Sequence, residues 1–261
     1  MKNFLKLLAT TTFLSLGVIL PSQASTLQDI KAATVVLFIN PSDGHNAICS
    51  AEFVSQDTLI TASHCVLNAD ASGKVLYSFF WKAQFDANQD MTSGQVFRVT
   101  PKVIDRVNDV ATLTVIDSDK IVHPSVDIAS AADIKSIGLD TGTPVIAAGY
   151  PLQGPFTITD GLFTSPVKGP LAQSSPGIEA AIPEATGMFY QVTAPIAEGS
   201  SGGGLYTKIG DTYKLLGVAS GIDRTNGQSF ISFFSESAPI LVALNGATPS
   251  PTTLIPDPAT P

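Results

Sequence analysis

The sequence is short of the residues from which metal and nucleotide sites are built. Among 261 residues there are two cysteines, Cys49 and Cys65, and three histidines, His45, His64 and His123. Scattered in this way they do not make a zinc site, and no phosphate-cradling loop or nucleotide fingerprint is present, so neither a metal nor a cofactor is expected. Basic residues are also few, with 14 Lys and Arg against 22 Asp and Glu. That balance disfavours nucleic acid and anionic membranes as partners. The apolar run from Leu7 to Leu20 holds three consecutive threonines and is short for a bilayer crossing. No internal repeat is visible.

Apolar residues make up 44% of the chain, charged residues 14%, and 21 glycines accompany 18 prolines. This composition fits one turn-rich β domain with a substantial core. Lys2 and Lys6 precede the apolar run, and Pro21-Ser22-Gln23-Ala24 follows it, so residues 1–24 read as a secretory signal peptide cut after Ala24. An uncleaved anchor is the competing reading. Cleavage leaves 12 basic against 22 acidic residues, a net charge of −10, on a chain exported to the periplasm or medium with no further membrane contact. In such a chain a Cys49–Cys65 disulfide is the default, stabilising by roughly 3 kcal/mol in the chain-entropy model; two free buried thiols are the alternative.

In chain order, residues 25–33 read as an arm leading to a first strand, 34–39. Alternation over Ala47–Val54 followed by Thr58–Thr61 reads as a hairpin. It runs into Ala62-Ser63-His64-Cys65-Val66, where a short helical turn would hold His64 beside Cys65. Strands continue over 76–81 and 95–106, then Asn108-Asp109-Val110-Ala111-Thr112-Leu113 opens another on a single acid. Residues 118–143 read as a linker. A second set of strands follows at 144–150, 156–163, 189–193, 203–208, 213–220 and 229–234, with a long Ser/Pro/Ala loop at 172–187. Ser237-Ala238-Pro239 offers a cap with proline in the first turn, Ile240 to Asn245 before Gly246 reads as a short closing helix, and the proline-rich residues 247–261 read as a disordered tail.

The chain centres on Glu198-Gly199-Ser200-Ser201-Gly202-Gly203-Gly204. Glycines around a serine pair permit a turn tight enough to expose the Ser201 hydroxyl and converge backbone N–H groups on one point. Gly-x-Ser-x-Gly also describes the nucleophile elbow of α/β-hydrolases, and plain flexible loops share the composition. Elbow enzymes place the histidine after the serine, whereas all three histidines here precede it, which leaves a His…Asp…Ser order.

Ile60-Thr61-Ala62-Ser63-His64-Cys65 closely resembles the histidine motif of the chymotrypsin-like serine proteases, with its cysteine bridged to an earlier strand. Asp109-Val110-Ala111-Thr112-Leu113 resembles that family's aspartate motif. The resemblance implies an all-β fold of two packed six-stranded antiparallel β-barrels, here about 25–120 and 144–234 within a peptidase domain 25–246, and a short C-terminal helix. It implies Ser201 as nucleophile, His64 as the group that takes and returns its proton, and Asp109 as the residue that orients His64. It places the oxyanion hole at the amides of Gly199 and Ser201, and the edge for substrate backbone at Ser220 and Gly221, with Ser220 also bonded to the aspartate. His45 and His123 lack such context and read as structural; Asp105 and Asp117 are weaker candidates than Asp109.

Digestive members carry an aspartate before the nucleophile, paired with a freshly cut N-terminus. Ser200 cannot form that ion pair, so activity without such a cut is expected. Thr193-Ala194-Pro195-Ile196-Ala197-Glu198-Gly199 looks more like the bacterial high-temperature-requirement proteases, although no downstream PDZ domain is expected. Pro195 and Ile196 fall where the family lines its specificity pocket, which implies cleavage after small or medium apolar residues of a protein or peptide substrate by a monomer. Glu198 reads as a solvated rim charge. An inactive binding module on the same fold, or an esterase with the same triad, are the competing functions.

Overall fold

A computed structural model describes residues 26–40, 47–66, 76–85, 91–116, 118, 123–169, 178–180, 185–225 and 228–245. The expected signal peptide, His45, Asp117 and the proline-rich tail lie outside them. The described chain begins with a helix, α1 (Leu27–Ala33), where an arm is expected from the sequence. Its start is a capping box: the Thr26 side chain accepts from the Asp29 amide and Asp29 returns a bond to the Thr26 amide, a four-residue signal that needs no periodic run behind it. The β-branched run Thr34-Val35-Val36 then turns the backbone extended.

Six antiparallel strands, β1 (Thr34–Asn40), β2 (Ala47–Ser55), β3 (Thr58–Thr61), β4 (Leu76–Phe85), β5 (Met91–Asp105) and β6 (Val110–Val115), close a barrel in the order β1-β2-β3-β6-β5-β4. Leu37, Phe53, Leu59, Phe79 and Leu113 fill it. The linker contains α2 (Ala131–Ile137), again started by a capping box, Ser130 with Asp133. Lys214 reaches Asp133 at 2.9 Å and ties α2 to the second barrel.

That barrel is β7 (Pro144–Gly149), β8 (Thr157–Lys168), β10 (Met188–Val192), β13 (Gln228–Glu236), β12 (Thr212–Thr225) and β11 (Gly204–Ile209), closed by pairing of β11 with β12. Val192, Leu205, Leu216 and Phe234 lie in its core. One strand falls inside the expected 172–187 loop: β9 (Ile178–Ala180) pairs antiparallel with β12, Gly221 opposite Ala180 and Asp223 opposite Ile178. A three-residue strand in a Ser/Pro/Ala-rich stretch leaves no alternation to read.

The chain ends on α3 (Ser237–Leu244), which springs from the second barrel but buries Ile240 and Ala243 in the core of the first. Its N-cap is Glu236 rather than Ser237, whose side chain is buried inside the first turn. Among the described residues no helix is long and apolar enough to cross a membrane.

Candidate active site

The two barrels meet on one face of β2. Cys49, Ala51 and Phe53 point into the first barrel's core, and the period-2 pleat sends Ser50 and Glu52 the other way. That way is not water: Ser50 and Glu52 are both 0% exposed and lie under the loop that carries Ser201.

His64 is delivered by a one-turn 3₁₀ helix, Ser63–Val66, at the end of β3. Cys65 in that turn is disulfide-bonded to Cys49 on β2, with Cα atoms 6.2 Å apart, so the histidine's backbone is covalently held to the first barrel. Both sulfurs are consumed in that bond, and the cluster Cys49, His64 and Cys65 has no thiolate to offer a metal.

Asp109 sits where the β5–β6 turn enters β6, at φ +52°, in the left-handed region that Asp tolerates better than most residues. Asp105 builds this turn by accepting from the Asn108 amide at 3.1 Å and its side-chain amide at 2.7 Å; it does not reach His64. The Asp109 carboxylate is 1% exposed and collects four hydrogen bonds. Oδ1 accepts from Ser63 Oγ and from the His64 amide, both at 3.0 Å. Oδ2 lies 2.9 Å from His64 Nδ1 and accepts from Ser220 Oγ at 2.5 Å. Four donors occupy the carboxylate, and its bond to Nδ1 leaves Nε2 of His64 as the ring nitrogen turned away from it.

The Ser201 loop is held from both barrels. Ser50 donates its amide to the Ser201 carbonyl at 2.7 Å and its hydroxyl to the Gly199 carbonyl at 2.9 Å, while that hydroxyl accepts from the Tyr150 amide. Cys65 Sγ lies 3.8 Å from the Ser201 carbonyl oxygen, which puts Ser201 beside the histidine turn. Gly202, at φ +83°, passes so close to β2 and β3 that a Cβ would overlap Thr61 Oγ1 and the Ser50 carbonyl. No other residue fits there.

Within this loop the amides divide. Those of Ser200, Gly202 and Gly203 donate to the carbonyls of Ala197, Ala219 and Ser200. Among the described residues, those of Gly199 and Ser201 have no acceptor. Gly199 is at φ +88°, and the preceding carbonyl, of Glu198, is drawn the opposite way by the Leu152 amide at 2.5 Å. In a trans peptide the C=O and N–H point in opposite directions, so this bond aims the Gly199 N–H away from Leu152. Leu152 takes φ +54° to make the bond and stands 67% exposed, a conformation costly for leucine and kept at the site.

Pro195 and Ile196 line an apolar cavity of about 170 Å³ together with Ala147, Ala148, Thr159 and Ser200. It opens behind Ser200; Ser201, Ser220 and Gly221 are not in its wall. Ser220 and Gly221 sit at a bulge of β12, where Ser220 turns inward to Asp109 and Gly221 pairs with β9. His123 is remote from the cluster: it stacks on Phe53 with centroids 3.4 Å apart. The sequence reading misses Ser50, Glu52, Ser63 and Leu152, which position the others. The signal available for Ser50 and Glu52 is their spacing of two on a strand that also carries Cys49.

No curated protein matches the chain. Among solved structures, an HtrA-type protease, AlgW, solved with a tripeptide, superposes with a TM-score of 0.62 at 19% identity, over 84% of this chain and 60% of that one. The serine endoprotease of Yersinia pestis gives 0.57 at 20% identity, over 84% and 63%. The Rv3671c protease of M. tuberculosis in its active form gives 0.61 at 19% identity, over 96% and 97%. This chain thus spans about 60% of the length of the HtrA-type protease and nearly all of the mycobacterial one. At these identities the likeness is one of fold. The sequence profile of the trypsin-like peptidase domain matches residues 49–218, from the first cysteine to a point in β12 two residues short of Ser220, and the chain belongs to that family.

Proposed function

We propose that the protein is an exported serine endopeptidase that hydrolyses peptide bonds through Ser201, His64 and Asp109. The observation that carries the reading is the Asp109 carboxylate, which fixes His64 through both its amide and Nδ1 while Ser220 and Ser63 saturate the remaining oxygens. His64 Nε2 removes the proton from Ser201 as Oγ attacks the scissile carbonyl, and returns it to the leaving amine; Asp109 stabilises the imidazolium between these steps. The amides of Gly199 and Ser201 receive the oxyanion. Among the described residues Ser201 Oγ makes no hydrogen bond, a looseness that triads without substrate commonly show.

Preference for small or medium apolar residues before the cut rests on Pro195 and Ile196 bringing no charge to the pocket region. The substrate backbone extends along β12 from Ser220. There β9 already occupies the edge at Gly221–Asp223, so an entering peptide must displace it. Export rests on residues 1–24 and agrees with the disulfide.

The test is intact-mass analysis of the purified protein with a fluorophosphonate probe. One adduct on the wild type, absent from Ser201→Ala, is expected, together with turnover of an unstructured polypeptide. No adduct on folded protein transfers the case to a binding module, and ester turnover without peptide turnover transfers it to an esterase.

A further inference from the structure

Glu52 is a carboxylate buried between the barrels that the chemistry above leaves unused. It is 0% exposed, and its neighbours come from every element packed on it: Thr34 of β1, Ile60 of β3, Gly204 and Tyr206 of β11, and Tyr150 after β7. The titratable groups among them are the two tyrosines, which burial keeps neutral by pushing their hydroxyl pKa values up. Among the described residues no Lys, Arg or His faces it. A bare charge in that position would be costly, since no cation stands there to offset its lost hydration.

Hydrogen counting reaches the same point from geometry alone. Thr34 Oγ1 lies 2.7 Å from the Ile30 carbonyl oxygen and 2.8 Å from Glu52 Oε2. A threonine hydroxyl has one hydrogen and cannot satisfy two acceptors. If Glu52 were ionised, one of these close oxygen pairs would have no hydrogen between them. If Oε2 carries a proton, Glu52 donates to Thr34, Thr34 donates to Ile30, and both contacts are bonds. Oε1 then remains as a pure acceptor, and it receives the Gly204 amide at 2.9 Å. Tyr206 Oη abuts the pair but meets hydrogen-bond geometry with neither. A Cβ at Gly204 would strike the Tyr206 ring, so the backbone at this point is pressed between Tyr206 and the acid.

We propose that Glu52 is a positioning residue which, as a neutral acid, relays hydrogen bonds from the carbonyl of Ile30 in α1 through Thr34 to the amide of Gly204, and so fixes the exit of the Ser201 loop. This rests on Ser201 being the nucleophile. Desolvation by burial, the largest influence, pushes the carboxyl up to about 8. Ionisation removes the proton that joins Glu52 to Thr34, and the charge drives the carboxylate to seek water. The Gly204 amide then loses its fixed partner and the loop loosens. The folded state binds this proton between about pH 4.5 and 8 where the unfolded chain does not, so the stability that the neutral acid provides is complete below that window and is lost as pH rises through it.

Glutamine reproduces the neutral acid, with its amide donating to Thr34 and its oxygen accepting from Gly204; alanine removes the relay. Wild type, Glu52→Gln and Glu52→Ala are compared from pH 6 to 9.5 in fluorophosphonate labelling rate, kcat and KM on a peptide, melting temperature, and amide exchange of a fragment spanning Gly204. The wild-type labelling rate and kcat are expected to fall about tenfold above pH 8, a change of one hydrogen bond's order, with KM little moved. Glu52→Gln is expected to lose that alkaline fall and its share of the melting slope. Glu52→Ala is expected to be slow at every pH, with faster exchange at Gly204. Superimposable wild-type and glutamine profiles in rate and melting overturn the proposal. If no variant labels at all, the endopeptidase reading fails instead, and the exchange measurement still decides whether Glu52 holds Gly204. Should the alanine variant not fold, the glutamine comparison alone stands as the test.

Discussion

Two carboxylates are buried within the reach of the Ser201 loop, and their surroundings hold them in different ways. Asp109 is met by two hydroxyls, a backbone amide and an imidazole nitrogen; Glu52 has one amide and a hydroxyl whose hydrogen is already committed. Both are at or below 1% exposure, so burial does not distinguish them. The number of donors does. A buried acid is ionised when the fold supplies enough N–H and O–H groups to replace water, and neutral when it does not.

The largest effect that can break this comparison comes from removing the charge where it is needed. Asp109→Asn is expected to lower kcat on the order of 10⁴-fold, because the amide favours the wrong histidine tautomer, while the protein stays folded. Glu52→Gln makes the same chemical change and is expected to stay within a few-fold of wild type near pH 6. If the two substitutions cost the same, the donor argument fails.

Next in size is the covalent support of the His64 turn. Replacing Cys49 and Cys65 together by Ala is expected to cost about 2 to 5 kcal/mol, read as a fall in melting temperature, with activity lost earlier on heating than the far-ultraviolet signal. Removal of single donors to Asp109 sharpens the comparison further. Ser220→Ala and Ser63→Ala should each cost about 1 to 3 kcal/mol in transition-state stabilisation, read as a fall in kcat/KM, since each takes a bond from the carboxylate that orients His64. Replacing Ile178–Ala180 by Gly-Ser-Gly is expected to raise kcat/KM a few-fold by freeing the β12 edge, measured on a peptide long enough to pair there. The smallest effect belongs to the Asp133–Lys214 pair, whose hydrogen bond holds the Asp133 carboxyl down at about 2. Its contribution is present above the ordinary carboxylate range and vanishes as pH falls through about 2. Both side chains are over a fifth exposed, so Lys214→Ala should shift melting by no more than a degree or two.

The residues proposed to carry the chemistry stand out in the sequence because each sits in a short local signature: a histidine beside a cysteine at a strand end, an acid opening an alternating run, a serine framed by glycines. Two barrels and a closing helix followed from the strand count and the resemblance. What sequence did not yield was everything decided across the barrel interface. The alternation in β2 marks Ser50 and Glu52 as one face, but polarity does not say whether water or a second barrel covers that face. The same holds for β9, whose pairing depends on β12 and not on its own composition. Leu152 gives no signal at all, because its unusual φ is imposed by a bond to a residue 46 positions later. Helix α1 was missed for a different reason: its capping box is explicit in Thr26 and Asp29, yet seven residues are too few to show a helical period.

Ser50 and Glu52 hold the Ser201 loop from the first barrel while Leu152 and Ala219 hold it from the second, so the shape of that loop belongs to neither barrel alone. The first barrel's core also takes Tyr206, Leu215 and Val218 from the second half and Ile240 and Ala243 from α3, so neither half is finished without the other. With Ser201 as the nucleophile, as proposed above, base and nucleophile would meet only once both halves have docked. Cleavage would then be confined to molecules that have folded to the last helix.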